Sequence, residues 1–300
     1  MILSGSLCAL ATPLRASDDA LDADALARLV EQQIGGGTRA LVVAGSTGEA
    51  AALDDGEFSQ LLERAFAHAR GRVPLLAGTG LAGTRNTVLR TRRARDAGID
   101  VALVVAPPYV RPTQEGLYRH FSEIADHGGL PVMLYNVPSR TACDLQPETV
   151  ARLASHGNIM GIKEAVADES RMRDLLALQS AAFAVFSGDD ATAARAQLSG
   201  AAGVISVAAN VVPRRFADLC DACAAGDEAR ALALDHQLQP LYAFLGAEPN
   251  PIPVKWCLAQ IGICEDHLRL PLLPLGAALR TGGADVLARL GLVEAEPAVG

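Results

Sequence analysis

Eight short apolar runs, each followed by a stretch of helical periodicity, constrain the fold of this 300-residue chain more than any other feature. The runs are Ser6–Leu10, Ala40–Ala44, Pro74–Ala77, Val101–Ala106, Pro131–Tyr135, Ile159–Lys163, Ala184–Ser187 and Val204–Val207. Runs of this length, apolar without alternation, suit strands buried on both faces of a parallel sheet. Strand–helix alternation repeated eight times predicts an α/β chain folded as a (β/α)₈ TIM barrel rather than an open sheet.

The intervening segments carry helix ends in the expected order. Asp22 to Ile34 places Leu26, Leu29, Val30 and Gln33 at helical spacing and stops at Gly35-Gly36-Gly37. Asp54 to Arg70 starts acidic and ends with His68 and Arg70, the polarity that the helix dipole favours. Thr84 to Ala97 is predicted to be capped by Thr84, and Asp189 to Leu198 by Asp189. Beyond residue 225 the alternation stops. Helical patterns run from Asp227 to Leu245, from Pro251 onward, and over Gly282 to Leu292, with Pro249, Pro251 and Pro253 fixing the path between them. The expected division is a barrel over 1–225 and a small all-helical C-terminal domain over 226–300.

Other classes are disfavoured. A net charge of −8 argues against a nucleic-acid partner. No apolar run is long enough to span a membrane, and the N-terminal Met1-Ile2-Leu3-Ser4-Gly5-Ser6 lacks the basic start of a signal peptide. The six cysteines are scattered, and Cys220-x-x-Cys223 sits in a helical context without a partner pair, so packing in a reduced, cytoplasmic protein is expected. The six histidines show no metal-ligand spacing, and no metal is expected.

In a barrel of this kind the active site lies at the C-terminal ends of the strands. Those positions hold Thr12-Pro13, Gly45-Ser46-Thr47-Gly48-Glu49, Gly78-Thr79-Gly80, Pro107-Pro108-Tyr109, Tyr135 to Arg140, Lys163-Glu164, Gly188-Asp189-Asp190 and Ser206. Gly45 to Gly48 offers backbone N–H groups and two hydroxyls, a set suited to a carboxylate, without the spacing of a phosphate loop; an ordinary glycine-rich turn has the same composition. Tyr135 can shuttle protons beside the next strand, or simply stand half-buried with its hydroxyl in water. Arg140 can clamp a carboxylate in bidentate fashion or form a surface ion pair. Tyr109 projects from a proline-stiffened loop that can reach a neighbouring subunit.

Lys163 is the most informative of these residues. The chain has 26 basic residues, and only Lys163 and Lys255 are lysines. Arginine cannot be deprotonated and forms no imine. A lysine kept at the end of an apolar strand is expected to have its pKa pulled toward neutrality and to attack a ketone, forming a Schiff base. A lysine salt-bridged at a strand end is the other reading of this run alone.

These segments together resemble the dihydrodipicolinate synthase family of the pyruvate-dependent class I aldolases. The resemblance covers essentially the whole chain. It rests on Gly45-Ser46-Thr47-Gly48-Glu49, Arg111 to Tyr118, Tyr135-Asn136-Val137-Pro138-Ser139-Arg140-Thr141, Gly161-Ile162-Lys163-Glu164-Ala165, Ser187-Gly188-Asp189-Asp190, Gly203 to Val207 and Glu248 to Lys255. It implies a lyase of lysine and diaminopimelate biosynthesis, acting without a cofactor beyond a covalent imine between pyruvate and Lys163. The second substrate would be L-aspartate 4-semialdehyde and the product 4-hydroxy-tetrahydrodipicolinate. Tyr135, Ser46 and a neighbouring copy's Tyr109 would form the proton relay. Thr47 would hold the pyruvate carboxylate and Arg140 that of the semialdehyde, with Gly188 and Ile205 shaping the pocket. A homotetramer built from tight dimers is implied.

Two departures from the family pattern stand out. Ser46 occupies a position where threonine is usual, and serine there resembles the N-acetylneuraminate lyase branch. That keeps a sugar-acid lyase open as an alternative, alongside a non-catalytic barrel that binds a keto acid; Arg140 argues for the synthase. The positions matching the family's lysine-inhibition site are Ala50, Asp55, Phe58, Ala82, Asn86 and Pro108, so weak or no inhibition by L-lysine is expected.

Overall fold

A computed structural model describes residues 3–294 of the chain. The first two N-terminal positions, and 295–300 of the expected C-terminal domain, lie outside the described residues. Eight parallel strands close into a barrel in sequence order: β1 Gly5–Ala9, β2 Ala40–Val43, β3 Leu75–Gly78, β4 Val101–Val105, β5 Val132–Asn136, β6 Ile159–Glu164, β7 Ala184–Ser187 and β8 Gly203–Ser206. β1 pairs with β8, Leu7 opposite Ile205, and this pairing completes the ring.

The helices between the strands are α1 Ala23–Gly35, α2 Asp55–Ala69, α3 Thr84–Asp96, α4 Gln114–His127, the single turn α5 Pro138–Thr141, α6 Pro147–Ala154, α7 Glu169–Leu176, α8 Asp190–Leu198 and α9 Pro213–Ala224. Asp22, Asp54 and Asp189 cap α1, α2 and α8 with their side chains, and Asp54 forms a reciprocal capping box with Glu57. Thr84 does not cap α3. Gly83 holds the cap position, and the Thr84 hydroxyl is taken by His120 Nδ1 at 2.9 Å, a tertiary partner that outcompetes the local one.

Side-chain direction alternates along each strand. Leu7, Ala9, Val42, Leu76, Leu103, Met133, Tyr135, Phe186 and Ile205 fill the barrel. Cys8, Leu41, Val43, Ala77, Val104, Leu134, Ile162, Val185 and Val204 face the surrounding helices. This double burial explains why the strands read as unbroken apolar runs.

Three further helices follow: α10 Glu228–Leu245, α11 Ile252–Gln260 and α12 Ala277–Arg289. The helical pattern from Pro251 ends at Gln260, where Ile261 and Gly262 turn the chain, and α12 starts at Ala277, before the expected Gly282. α12 begins early because Gly282 and Gly283 are tolerated inside it. A Cβ on Gly283 would meet the Phe244 and Trp256 rings at 2.4 and 2.5 Å, so α12 packs there by lacking a side chain. One apolar cluster runs from Cys8 of β1 through Phe244 and Trp256 to Leu287. All six cysteines are free thiols, and every one but Cys264 is buried. Among the described residues no helix is long and apolar enough to cross a membrane.

Candidate active site

β5 and β6 pair in register with Tyr135 opposite Lys163, and Phe186 of β7 opposite Lys163 on its other side. Lys163 is therefore an inward-facing residue on the last inward position of its strand. It is 5 % exposed, and its Nζ lies 4.4 Å from the centroid of the Tyr135 ring. No carboxylate among the described residues lies within ion-pair distance of it; the salt-bridged lysine is Lys255.

The acid next in sequence cannot serve as partner, because alternation sends Glu164 to the other face of β6. There the Glu164 carboxylate accepts hydrogen bonds from Asn136 Nδ2 at 3.1 Å, Arg171 Nε at 2.9 Å and the Val166 N–H at 2.8 Å. Burial pushes its pKa up, while these donors pull it down. Arg171 also grips Asp144, at 2.7 and 3.0 Å. This network ties the ends of β5 and β6 to α7 from behind and fixes the register that brings Tyr135 to Lys163.

Gly188 supplies the opposite wall. A Cβ at this position would lie 2.9 Å from Lys163 Cε and 3.0 Å from Cγ, so glycine is what lets the lysine stem lie flat against the end of β7. Ile205 packs inside the barrel in the same apolar cluster as Tyr135 and Phe186.

A cavity of about 520 Å³ opens at the C-terminal ends of β2 to β5. Ser46, Tyr135 and Arg140 line it together, joined by Asn250 from the C-terminal helices. In the loop after β2, the Gly48, Glu49 and Ala50 N–H groups are used within the turn, on the Gly45 and Ser46 carbonyls. Among the described residues the Ser46 and Thr47 N–H groups have no hydrogen-bond partner. They are the free donors that a carboxylate needs. Thr47 is buried, and its hydroxyl accepts from Asn250 Nδ2 at 2.9 Å. Arg140 is exposed at the cavity mouth, where its Nη2 donates to the Asn250 carbonyl at 3.1 Å.

Lys163, Thr47, Gly188 and Ile205 lie behind this lining rather than in it, and Tyr109 stands apart from the whole set. It is 93 % exposed at a φ of +73° and does not line the cavity of its own chain. A second hollow of about 380 Å³, between α7 and α8, holds none of the residues singled out at the strand ends.

Three residues at the site escaped sequence reasoning as participants: Asn250, Glu49 and Lys255. Glu49 and Asn250 lie in segments that carry the family resemblance, but nothing local tells that they meet a partner some 200 positions away. Lys255 ends one of the same segments, and the scarcity of lysine was a further signal for it.

A closed parallel barrel with a buried lysine at its C-terminal rim, without a carboxylate partner among the described residues and beside a tyrosine and a loop with free N–H donors, has the parts that a class I aldolase-type enzyme needs. Comparison with known proteins narrows this. The profile of the Dihydrodipicolinate synthetase family matches residues 2–288, and the chain belongs to that family. A 4-hydroxy-tetrahydrodipicolinate synthase from Stenotrophomonas maltophilia is 58 % identical over 277 residues, covering 92 % of this chain and 93 % of the relative. The crystal structure of the chloride-inhibited dihydrodipicolinate synthase from Acinetobacter baumannii, complexed with pyruvate, superposes with a TM-score of 0.94 at 41 % identity, over 97 % of this chain and 99 % of the other. A further structure, described as the first monomeric dihydrodipicolinate synthase variant, gives a TM-score of 0.95 at 36 % identity, over 97 % and 98 % of the two chains.

Proposed function

We propose that the chain condenses pyruvate with L-aspartate 4-semialdehyde to 4-hydroxy-tetrahydrodipicolinate, in lysine and diaminopimelate biosynthesis. The observation that carries the proposal is Lys163: a buried amine beside Tyr135, without a carboxylate partner among the described residues, in a family whose members are named for this product. The Lys163 amine adds to the ketone carbon of pyruvate and water leaves, giving an iminium. The iminium draws electrons from the methyl group, which loses a proton and becomes an enamine carbon. That carbon attacks the aldehyde, and the amino group of the adduct then displaces Lys163 and closes the ring. The imine is the electron sink, so this route calls for no cofactor.

Tyr135, Ser46 and Tyr109 of a neighbouring copy carry the protons in this scheme. The Ser46 and Thr47 N–H groups receive the pyruvate carboxylate, and Thr47 holds the loop through Asn250. Arg140 receives the carboxylate of the semialdehyde, while Gly188 and Ile205 shape the floor. The barrel over 1–225 carries the chemistry, and the helices from 226 brace it.

A homo-oligomer, a tetramer of tight dimers, fits the exposure of apolar side chains at Tyr109, Val110, Leu270 and Leu273. Pro108, Leu270, Pro271 and Leu272 line the cavity, so a copy docked on that face would close it. A cytoplasmic location fits a reduced set of six thiols.

Ser46 supports a second reading, a lyase of sugar acids; Arg140 at the cavity mouth opposes it. A coupled assay with pyruvate and L-aspartate 4-semialdehyde, run beside N-acetylneuraminate cleavage, separates the two. Turnover in the first and none in the second is expected; the reverse pattern overturns the proposal.

A further inference from the structure

The chain has two lysines, and the chemistry above uses one of them. The other, Lys255 of α11, is fully buried with its Nζ 2.6 Å from Glu49 Oε1, and the Glu49 side chain is 1 % exposed. A pair taken this far out of water is costly to form and weak evidence for stability, so its presence asks for a reason.

The reason lies in what the pair joins. Glu49 directly follows Gly45 to Gly48, the loop with the free Ser46 and Thr47 N–H groups. Its φ of +53° is one that non-glycine residues rarely adopt, and it persists because both carboxylate oxygens are held. Oε1 takes Lys255, and Oε2 accepts the Arg269 backbone N–H at 3.1 Å. Asn250, in the turn just before α11, holds Thr47 from the same side. The C-terminal helical segment therefore fastens this loop at two of its five residues, and an unusual backbone angle lies between loop and helix.

We infer that Lys255 is a positioning residue of the reaction. Through Glu49 it fixes the loop after β2 so that the Ser46 and Thr47 N–H groups converge on the keto-acid carboxylate. The inference rests on the proposed role of that loop. Lys255 itself cannot be the imine former, being sealed from solvent and bound to a carboxylate. Its compact ammonium suits a site where one oxygen must be reached; a guanidinium there would add bulk to a closed space.

The test uses the full chain and reads pyruvate occupancy by borohydride trapping on Lys163, with thermal unfolding in parallel. Lys255→Met leaves Glu49 buried and unpaired and is expected to lower stability. The double variant Glu49→Gln with Lys255→Met removes both charges and is expected to recover much of that stability. A purely structural pair would then recover pyruvate binding too. A positioning pair would not: half-maximal trapping should need roughly ten- to a hundredfold more pyruvate than in the wild type, the scale on which a misplacement of about 1 Å is felt. Lys255→Arg, which keeps the charge but displaces it, should move in the same direction. A double variant that recovers stability and traps at wild-type pyruvate concentrations overturns the inference and leaves the proposed function standing. A wild-type chain that traps no pyruvate on Lys163 sinks both.

Discussion

Lys163 Nζ lies over the face of the Tyr135 ring, 4.4 Å from its centroid, and the two residues are paired in register on adjacent strands. The amine is thus held by the body of the tyrosine, and the phenol oxygen is left for a substrate. Tyr135→Phe keeps the ring and removes only the phenol hydroxyl, the proton carrier of the proposed relay. Its kcat is expected to fall by about 10²- to 10⁴-fold, while trapping still labels Lys163. An unchanged kcat would remove Tyr135 from the relay.

Arg140 reaches the mouth of the cavity and, among the described residues, has one hydrogen bond, to a backbone carbonyl, and no carboxylate partner. Arg140→Ala should cost about 1.5–3 kcal/mol of transition-state binding for the semialdehyde, roughly ten- to a hundredfold in kcat/KM. Half-maximal trapping by pyruvate should stay within about twofold of the wild type, since the proposed role gives the lost contact to the other substrate. Steady-state kinetics with each substrate varied in turn makes the comparison.

Inhibition by L-lysine should be weak or missing. The Arg90 guanidinium is 7 % exposed, stands 4.1 Å over the Phe58 ring, and lies 3.4 Å from the Ala50 carbonyl. Phe58 and Ala50 are two of the positions matching the family's inhibitor site, and Asn86 stands there in place of the acid that would pair with an amine, so an incoming ammonium meets the Arg90 cation instead. A dose–response curve to 10 mM or so should show less than half-inhibition; half-inhibition below about 1 mM would contradict the charge argument.

His120 should set part of the acid limit of stability. Burial pushes its pKa down from 6.5 to about 4, and among the described residues only Nδ1 has a partner, the Thr84 hydroxyl. Between these values the unfolded chain binds a proton that the folded chain refuses, so stability falls as pH drops from 6.5 toward 4. The full difference is on the order of 3 kcal/mol. His120→Gln should flatten that limb in chemical denaturation at pH 7 and pH 5, while leaving other acid-sensitive groups in place. An equally steep loss in the variant would assign the limb to other groups.

Local pattern carried the architecture well. Each of the eight apolar runs is a strand to within a residue or two, because burial on both faces leaves an unbroken apolar signature. The aspartate cap of α8 and the acidic starts of α1 and α2 were equally legible. Thr84 was misread because its hydroxyl answers to His120, 36 positions away. The same limit hid Lys255 and Asn250: their partners Glu49 and Thr47 lie 206 and 203 positions distant. Sequence periodicity shows which face is buried; it does not show which buried charge meets which. The fit of Gly188 against the Lys163 stem likewise belongs to the closed barrel, not to any single segment.

The most direct test of the central claim is borohydride reduction of the intact chain with pyruvate, followed by peptide mapping. The expected result is one reduced pyruvate per chain, carried by Lys163, and none in Lys163→Arg. A chain that gains no such mass, or gains it on Lys255, would contradict the account.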